Sequence, residues 1–262
     1  MAKSRLIPKL QLHTSLNNLT KLVLVITRRF NEVIEIGDPV SQAKIFQDQA
    51  SDELIFLNIN PNNKNELPLL GQTIHKVAQE IFMPLTVGGG VSTLDDFRLL
   101  LANGADKISI NTAAFFNHKL ISEAAERYGA QCVVVSIDYK KDADGSGFVY
   151  THCGQNKTAM HPAEWAIMAE KLGAGEILLT SMDNDGLKEG LDLETTRQIS
   201  ESVSIPVITS GGCGLAKHFS DGFLIGKAAA VSAGTFFAHR DQNFMQTRSH
   251  IVNAGVNIRY HR

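Results

Sequence analysis

The sequence predicts an α/β fold, a single (β/α)8 barrel, and three observations support this class. Eight short apolar segments rich in β-branched residues alternate with longer amphipathic segments, which indicates a parallel sheet covered by helices. The length of 262 residues suits one such barrel, because these barrels typically need about 250 residues. The two halves of the chain also resemble each other. An open, doubly wound sheet is the alternative that this pattern leaves open.

The elements follow one another along the whole chain. The predicted strands are Leu6–Leu12, Glu53–Ile59, Pro84–Val87, Lys107–Ile110, Cys132–Asp138, Glu176–Ser181, Pro206–Thr209 and Ala228–Ser232. All but the last precede a helical segment, and clear examples of these segments are Asp38–Ala50, Leu94–Asn103 and Pro162–Leu172. Gly-Ala dipeptides end several helices, as glycine commonly does. Two pieces without a regular pattern are predicted to be long loops, either functional lids or plain insertions: Thr14–Ile36 and Lys140–Ala159.

An internal repeat relates the two halves. Gly89-Gly90 recurs as Gly211-Gly212, and Phe97 recurs as Phe219 at the same offset. The offset is about half the chain, far longer than the period of a solenoid. The repeat therefore predicts two fused half-barrels in one domain of residues 1–262, at about residues 1–125 and 126–240, followed by a C-terminal helix in 241–262.

The composition limits the possible functions. With a net charge of −2, the chain lacks the basic character that binding to nucleic acid or to an acidic membrane requires. Three widely spaced cysteines form neither a disulfide framework nor a zinc pattern, and they suit a reducing cytoplasm. No apolar run is long enough to span a membrane, and no secretory signal is evident. We therefore expect a cytoplasmic protein that binds neither nucleic acid nor membranes and needs no metal or cofactor.

Glycine-rich turns follow related strands, Gly88-Gly89-Gly90 in the first half and Gly211-Gly212 in the second. Glycine lets backbone N–H groups approach an anion closely, and hydroxyl or amide side chains add donors. In such barrels the loops after the last two strands commonly bind phosphate. Two such sites predict a small substrate with an anion at each end, although glycines that only form tight turns are an alternative. The residues predicted to bind the anions are Gly89, Gly90, Asn111, Thr112, Gly212, Gly234 and Thr235.

Several runs together carry a resemblance to a known family. They are Gly37–Val40 (GDPV), Asp52–Leu57 (DELIFL), Pro84–Gly90 (PLTVGGG), Ala105–Ala113 (ADKISINTA) and Gly173–Gly186 (GAGEILLTSMDNDG). Over about residues 5 to 237, the chain resembles the cyclase (synthase) subunit of imidazole glycerol phosphate synthase. The resemblance implies that a glutaminase subunit docks at the N-terminal end of the barrel. Ammonia would then cross the barrel interior and react with a bisphosphorylated ribulosyl aminoimidazole carboxamide at the C-terminal end.

Four charged residues match the ring that gates ammonia in this family: Arg5, Glu53, Lys107 and Glu176. Each lies near the start of a predicted strand, so two acids and two bases can form a closed ring of ion pairs. Charges that point into a barrel are costly unless they are paired. The other interpretation is a rim of surface salt bridges, which contribute little to stability. Asp106 matches a family residue at the glutaminase interface.

The catalytic end departs from the family. The resemblance assigns proton transfer to two aspartates, and Asp138 matches the second of them, but Gln11 occupies the position of the first. An amide cannot deliver or accept a proton near neutral pH. Gln11 is therefore predicted to orient the substrate, and Asp138 is predicted to be the remaining proton-transfer residue. Lys9 replaces a family cysteine, and Asn58 replaces an acid.

Other residues at this end are retained. Asp183 and Asp185 follow the sixth predicted strand and are predicted to bind substrate. Lys21 is the candidate for a family lysine in the first loop, where an insertion leaves the alignment open. His152 and Cys153 lie in a predicted loop and receive no functional role.

The departures at the catalytic end favour a paralogue with altered chemistry. Paralogues of this kind act with a glutaminase-like partner and a third, ligase-type protein in the amidation of sugars of bacterial surface polysaccharides. Three alternatives stay open. The chain could be a histidine-pathway cyclase that tolerates Gln11, a non-catalytic conduit that passes ammonia to a separate ligase, or a related sugar-phosphate isomerase barrel.

Overall fold

The computed structural model describes residues 3–15, 17–30, 32–59, 66–238 and 244–259. Within them the strands are β1 (Arg5–Ser15), β2 (Asn18–Arg28), β3 (Glu32–Gly37), β4 (Leu54–Asn58), β5 (Leu85–Gly88), β6 (Lys107–Ile110), β7 (Val133–Lys141), β8 (Gly147–Thr151), β9 (Asn156–Lys157), β10 (Glu176–Ser181), β11 (Val207–Ser210) and β12 (Ala230–Ala233). Strands β1, β4–β7 and β10–β12 pair in parallel and form a closed barrel, because β12 returns to β1 and β10 pairs with β7. The predicted (β/α)8 barrel is confirmed, and the open sheet is excluded.

Helices follow the barrel strands and cover the outside of the barrel. In the described residues they are α1 (Pro39–Asp48), α2 (Glu66–Ala78), α3 (Leu94–Ala102), α4 (Thr112–Phe116), α5 (Lys119–Tyr128), α6 (Pro162–Lys171), α7 (Leu193–Ser202), α8 (Ala216–Leu224), α9 (Thr235–Ala238) and α10 (Phe244–Asn253). Capping sets several helix starts: Asp38 accepts from the N–H of Ser41 at α1, and Thr93 and Asp96 form a reciprocal capping box at α3. Helix α10 lies within the predicted C-terminal helix, of which residues 241–243 and 260–262 lie outside the described residues.

The two predicted long loops are wrong in large part. Most of Thr14–Ile36 is an antiparallel hairpin, in which β2 pairs with the far end of β1 and β3 pairs with β2. Lys140–Ala159 likewise contains β8 and β9, which continue antiparallel from β7. The run Leu22–Thr27 (LVLVIT) is rich in β-branched residues, which are common in strands. Its pairing depends on a first strand that extends to Ser15, well beyond the predicted end at Leu12.

Strand alternation stacks different kinds of side chain inside the barrel, because every second residue of a strand faces the same side. One apolar layer fills the barrel interior near the N-terminal ends of the strands. It consists of six buried residues: Ile7, Ile55, Val134, Leu178, Ile208 and Ala230. The larger core lies between the barrel and the helices and includes Phe97 and Trp165. Among the described helices, none is both long enough and apolar enough to cross a membrane.

Candidate functional site

Four charged side chains close the N-terminal end of the barrel interior. The Arg5 guanidinium donates to Glu53 Oε1 at 2.8 Å and also to Glu176. Lys107 Nζ lies 3.0 Å from Glu53 Oε2 and 2.9 Å from Glu176 Oε2. Each base therefore contacts both acids, and the ring is closed. Arg5, Glu53 and Glu176 are buried and Lys107 is half-buried, so these contacts are not surface salt bridges.

Arg5 and Glu53 keep their charges in spite of burial. Burial opposes ionisation of Glu53, but the charges of Arg5 and Lys107 outweigh it and lower the pKa of that carboxyl. Burial also opposes ionisation of Arg5, and the two glutamates raise the pKa of the guanidinium above its ordinary value. The four groups stabilise one another, so removal of any one would leave an uncompensated buried charge.

A cavity of about 800 Å³ opens at the other end of the barrel, over the carboxyl ends of the strands. This is the end at which (β/α)8 barrels carry their active sites. Its lining includes Gln11, Gly89, Gly90, Asn111, Thr112 and Asp138. A smaller pocket beside it is lined by Gln11, Asp185, Gly212, Gly234 and Thr235, among others. Lys9 lines both spaces. The structure thus brings most of the predicted substrate residues into two groups that share Lys9 and Gln11.

The two glycine turns have the same backbone geometry. The φ angle is +103° at Gly89 and +110° at Gly212, a region that other residues rarely adopt. A Cβ at Gly89 would lie 2.1 Å from the carbonyl oxygen of Asn58, and one at Gly212 would lie 1.9 Å from that of Gly190. Both positions therefore require glycine for the turn itself. Anion binding by these turns stays a prediction.

Asp138 is the buried carboxyl of the large cavity. Burial raises its pKa to about 6, against the charge of Lys9 and a hydrogen bond from Asn111. The Nδ2 of Asn111 lies 2.7 Å from Asp138 Oδ2. A carboxyl that titrates near neutral pH can both accept a proton and return it, which is the chemistry that the sequence predicts for this residue.

Gln11 is held by the β2–β3 hairpin. The hydroxyl oxygen of Thr27 lies 2.9 Å from Gln11 Oε1 and 2.8 Å from Asp185 Oδ2. A hydroxyl has one proton to give. The hydroxyl can therefore donate to only one of these two oxygens at a time, and Thr27 links Gln11 to Asp185.

Lys9 is a buried amine at the centre of this end. Its side chain lies on the barrel interior and the residue is 4% exposed. Its Nζ lies 3.4 Å from the hydroxyl oxygen of Thr180, and it belongs to none of the ion pairs found among the described residues. Burial lowers the pKa of Lys9, and the carboxyls of Asp185 and Asp138 oppose that effect.

Comparisons with known proteins agree with this arrangement. Residues 17–242 match the family described as histidine biosynthesis protein. A protein of Prochlorococcus marinus (strain MIT 9313), named putative imidazole glycerol phosphate synthase subunit hisF2, is 48% identical over 260 residues, 99% of each chain. The imidazole glycerol phosphate synthase subunits HisF of Geobacillus thermodenitrificans (strain NG80-2) and Geobacillus kaustophilus (strain HTA426) are 46% and 45% identical over 232 residues, 88% of this chain and 92% of theirs. The chain belongs to the histidine biosynthesis protein family.

The resemblance stated from the sequence is therefore confirmed at the level of the family. The family match begins at residue 17, so strand β1, with Lys9 and Gln11, precedes it. Lys9 and Gln11 thus lie outside the segment that the family model matches.

Asp183 and the candidate Lys21 each contact another group of the protein. Asp183 accepts a hydrogen bond from the backbone N–H of Lys141 at 2.8 Å, whereas Asp185 lines the smaller pocket. The chain turns between them, so residues two apart do not share a face there. Lys21 is exposed on β2 and pairs with Asp38 at 3.3 Å. Substrate binding by Asp183 stays a prediction.

Asp106 lies where β6 begins, at the N-terminal end of the barrel. Its side chain accepts a hydrogen bond from the N–H of Leu85 at 2.8 Å, so it joins β5 to the turn before β6. This hydrogen bond gives Asp106 a structural role that does not depend on a glutaminase. A glutaminase contact at Asp106 stays a prediction.

Several residues that line the large cavity were not predicted from the sequence to be part of the site. They include His13, Thr27, Arg29, Phe30, Lys140, Tyr150, His152 and Cys153. Most come from the two segments that were predicted to be long loops, either functional lids or plain insertions, and the structure places these residues at the mouth. Desolvation within the cavity and the charge of Asp138 raise the pKa of the Cys153 thiol to about 11, which makes it a poor nucleophile. Within the described residues, no group of three or more His, Cys, Asp or Glu side chains is arranged to hold a metal.

Proposed function

We propose that the chain is the ammonia-accepting synthase subunit of a glutamine amidotransferase. The observation that carries the proposal is one barrel interior with two differently built ends. A closed ring of charges lies at the N-terminal end, and a large cavity with glycine turns lies at the C-terminal end. Ammonia enters through the ring and reacts in the cavity.

The ring of Arg5, Glu53, Lys107 and Glu176 acts as a gate. The side chain of Lys107 is 19% exposed, whereas that of Glu53 is 4% exposed, so Lys107 is the member that can swing toward solvent. Above the ring, ammonia meets the apolar layer around Ile7. Crossing that layer is far more costly for an ion than for a neutral molecule, so the interior favours ammonia over ammonium.

A glutaminase of the class I amidotransferase type docks at the N-terminal end and forms a heterodimer with the barrel. Phe82 precedes β5 at this end and is 94% exposed, and Asp106 contacts the N–H of Leu85 on the same strand. Exposed aromatic side chains are typical anchors of protein interfaces. The names of the three relatives call each of them a subunit, which supports an assembly of this kind.

The substrate is a small sugar-derived molecule with an anion at each end. Gly89, Gly90, Asn111 and Thr112 bind one anion in the large cavity. Gly212, Gly234 and Thr235 bind the other in the smaller pocket. Asp138 transfers a proton at the centre, and Gln11 and Asp185 hold the substrate there. Two separate anion sites fix the orientation of the substrate over the reacting groups, which is the main contribution of positioning to catalysis.

Within this framework, we assign the chain to the paralogues that amidate a sugar of a bacterial surface polysaccharide, with a ligase-type third component. Gln11 and Lys9 at the catalytic end support altered chemistry. The histidine-pathway cyclase is the second candidate, favoured by identities of 46% and 45% to proteins with that name.

The test is turnover of the bisphosphorylated ribulosyl aminoimidazole carboxamide by the purified chain, with saturating ammonium salt and no partner. Free ammonia removes the need for a glutaminase. We expect no conversion beyond that of the Asp138→Asn variant, while bisphosphate binding shows the mouth to be folded. Conversion at an ordinary enzymatic rate would identify a histidine-pathway cyclase and overturn the paralogue assignment. Product formation in the whole complex that is unchanged in Asp138→Asn would favour an ammonia conduit.

A further inference from the structure

Lys9 is a buried titratable group to which the proposed function gives no role. It lies on β1 two residues before Gln11, so both side chains face the barrel interior. A lysine side chain is about as long as the rise of two strand residues, roughly 6–7 Å. Lys9 therefore starts in the layer below Gln11 and carries its amine up to the level of the mouth. The lining of both pockets by Lys9 agrees with this reach.

The amine of Lys9 lies among polar groups but, within the described residues, makes only a long hydrogen bond to them. Its Nζ contacts Thr180 Oγ1 at 3.4 Å, a long hydrogen bond for a residue that is 4% exposed. The other ionisable groups that act on it are the carboxyls of Asp185 and Asp138 and the buried thiol of Cys213. An ammonium has three donors. A buried ammonium with one long hydrogen bond is costly, so this amine is set to lose a proton or to bind a ligand.

Thr180 connects the amine to the carboxyl of Asp138. Thr180 and Asp138 are register partners on β10 and β7. The Thr180 side chain also lowers the pKa of Asp138, against the larger effect of burial. One hydroxyl thus acts on both an amine and a carboxyl inside the barrel, and it is itself 1% exposed.

We propose that Lys9 is a second proton-transfer residue of the mouth, coupled to Asp138 through the Thr180 hydroxyl. The ammonium of Lys9 gives a proton to Thr180, and Thr180 gives its own proton to the carboxylate of Asp138. The products are a neutral amine and a neutral carboxylic acid, so atoms and charge balance. A neutral pair is less costly to bury than two separated ions.

This assignment rests on the proposed function for the step that uses it. When ammonia adds to a carbonyl carbon of the substrate, the new nitrogen is positive and the oxygen is negative. The neutral amine of Lys9 takes a proton from that nitrogen, and the carboxylic acid of Asp138 gives one to that oxygen. The product is an uncharged carbinolamine, and Lys9 and Asp138 return to their ionised forms. No further reactant is needed.

The first test measures titration without any substrate. Lysine 13Cε resonances are followed against pH by NMR, and the Lys9 resonance is identified by its loss in Lys9→Met. We expect Lys9 to titrate below the surface lysines, and Asp138→Asn to move its midpoint lower still, because a negative charge is lost. Thr180→Val, which keeps the shape but removes the hydroxyl, is expected to move the Asp138 titration upward. A Lys9 midpoint equal to that of Lys171, or one unmoved by Asp138→Asn, would overturn the coupling.

The second test measures turnover of the substrate that the complex is found to use. We expect Lys9→Met to lower kcat by about 100-fold or more with little change in KM, as loss of a proton-transfer group does. Lys171→Met, on the exposed end of α6, is the matched control. A kcat unchanged in folded Lys9→Met would overturn the assignment. If the unaltered chain aminates no substrate, the proposed function fails, and the NMR titration still decides the coupling of Lys9 to Asp138.

Discussion

The two ends of the barrel interior treat buried charge in opposite ways. At the N-terminal end, two bases and two acids contact one another within 3.0 Å or less. At the C-terminal end, Lys9, Asp138 and Asp185 influence one another's pKa, yet none of these charges belongs to an ion pair among the described residues. The charges of the closed ring stabilise one another, whereas the loosely held charges of the mouth favour proton transfer.

The electrostatics differ accordingly. In the ring, attraction outweighs burial, so the pKa of Glu53 falls. In the mouth, burial outweighs attraction, so the pKa values of Asp138 and Asp185 rise and that of Lys9 falls. Titratable groups that are strongly perturbed by burial in a cavity are characteristic of functional sites. Substitutions at the two ends should therefore separate activity from stability.

The largest expected effect is on activity, at the mouth. Asp138→Asn should lower kcat by about 10²- to 10⁴-fold, because the amide cannot transfer a proton. Its melting temperature should not fall, since Asn fills the same space without a buried charge. Steady-state kinetics and thermal unfolding measure the two quantities, and Asp95→Asn on the exposed start of α3 is the control. If Asp138→Asn unfolds, or if it retains full activity, the mouth does not differ from the ring in the way proposed, with activity affected at one end and stability at the other.

The next effect is on stability, at the ring. Arg5→Met should lower the free energy of unfolding by about 3–5 kcal/mol, because it leaves two glutamates facing Lys107 alone. Urea denaturation measures the loss. Arg98→Met breaks the exposed pair with Asp95 and should cost less than about 1 kcal/mol. An equal loss of unfolding free energy in the two variants would show that the ring does not stabilise the barrel more than a surface ion pair does.

A smaller effect concerns the pH dependence of stability. The pKa of Asp138 in the folded chain is about 6, above an unfolded value of about 4. Between these values the folded state keeps a proton that the unfolded state has lost, so stability falls as pH rises through this window. Asn does not titrate. The stability of Asp138→Asn relative to the unaltered chain should therefore grow by up to about 3 kcal/mol from pH 4 to pH 7. Denaturation at both pH values tests this, and a constant difference would contradict the raised pKa.

The smallest effect concerns the support of the mouth by the hairpin. Thr27→Val removes the hydrogen bond to Asp185 and should cost about 1–2 kcal/mol. It should also raise the pKa of Asp185 further, because that hydrogen bond lowers it. Carboxyl 13C NMR measures the titration. The control is Thr73→Val on α2, whose hydroxyl bonds only a helix carbonyl at 2.9 Å. An unchanged Asp185 titration would mean that Thr27 does not support the site.

The barrel and the ring were predictable because both follow from strand periodicity. The predicted strands Lys107–Ile110 and Glu176–Ser181 have the same bounds as β6 and β10, and each begins with a charge of the ring. Alternation from Arg5 also places Lys9 and Gln11 on the interior face. The hairpins were not predictable in the same way, because β2 depends on the length of β1.

The details of the mouth depended on tertiary structure. Asp183 and Asp185 are equivalent in the sequence, and only the turn after β10 separates the one that binds the Lys141 backbone from the one that faces the pocket. The loose contact of Lys9 depends on which side chains reach the interior from β7, β10 and the loop after β11. Local sequence does not specify distances between such groups.

The central claim is that a substrate with two anions spans the groups around Lys9 and Asp138. Calorimetric titration with ribulose 1,5-bisphosphate and with ribose 5-phosphate as probes tests it most directly. We predict that the bisphosphate binds at least about 10-fold more tightly, because the second anion binds intramolecularly. Gly212→Ala should abolish this advantage, whereas Gly145→Ala, which also has positive φ but no atom near its added Cβ, should keep it. Equal affinities for the two probes would contradict the claim.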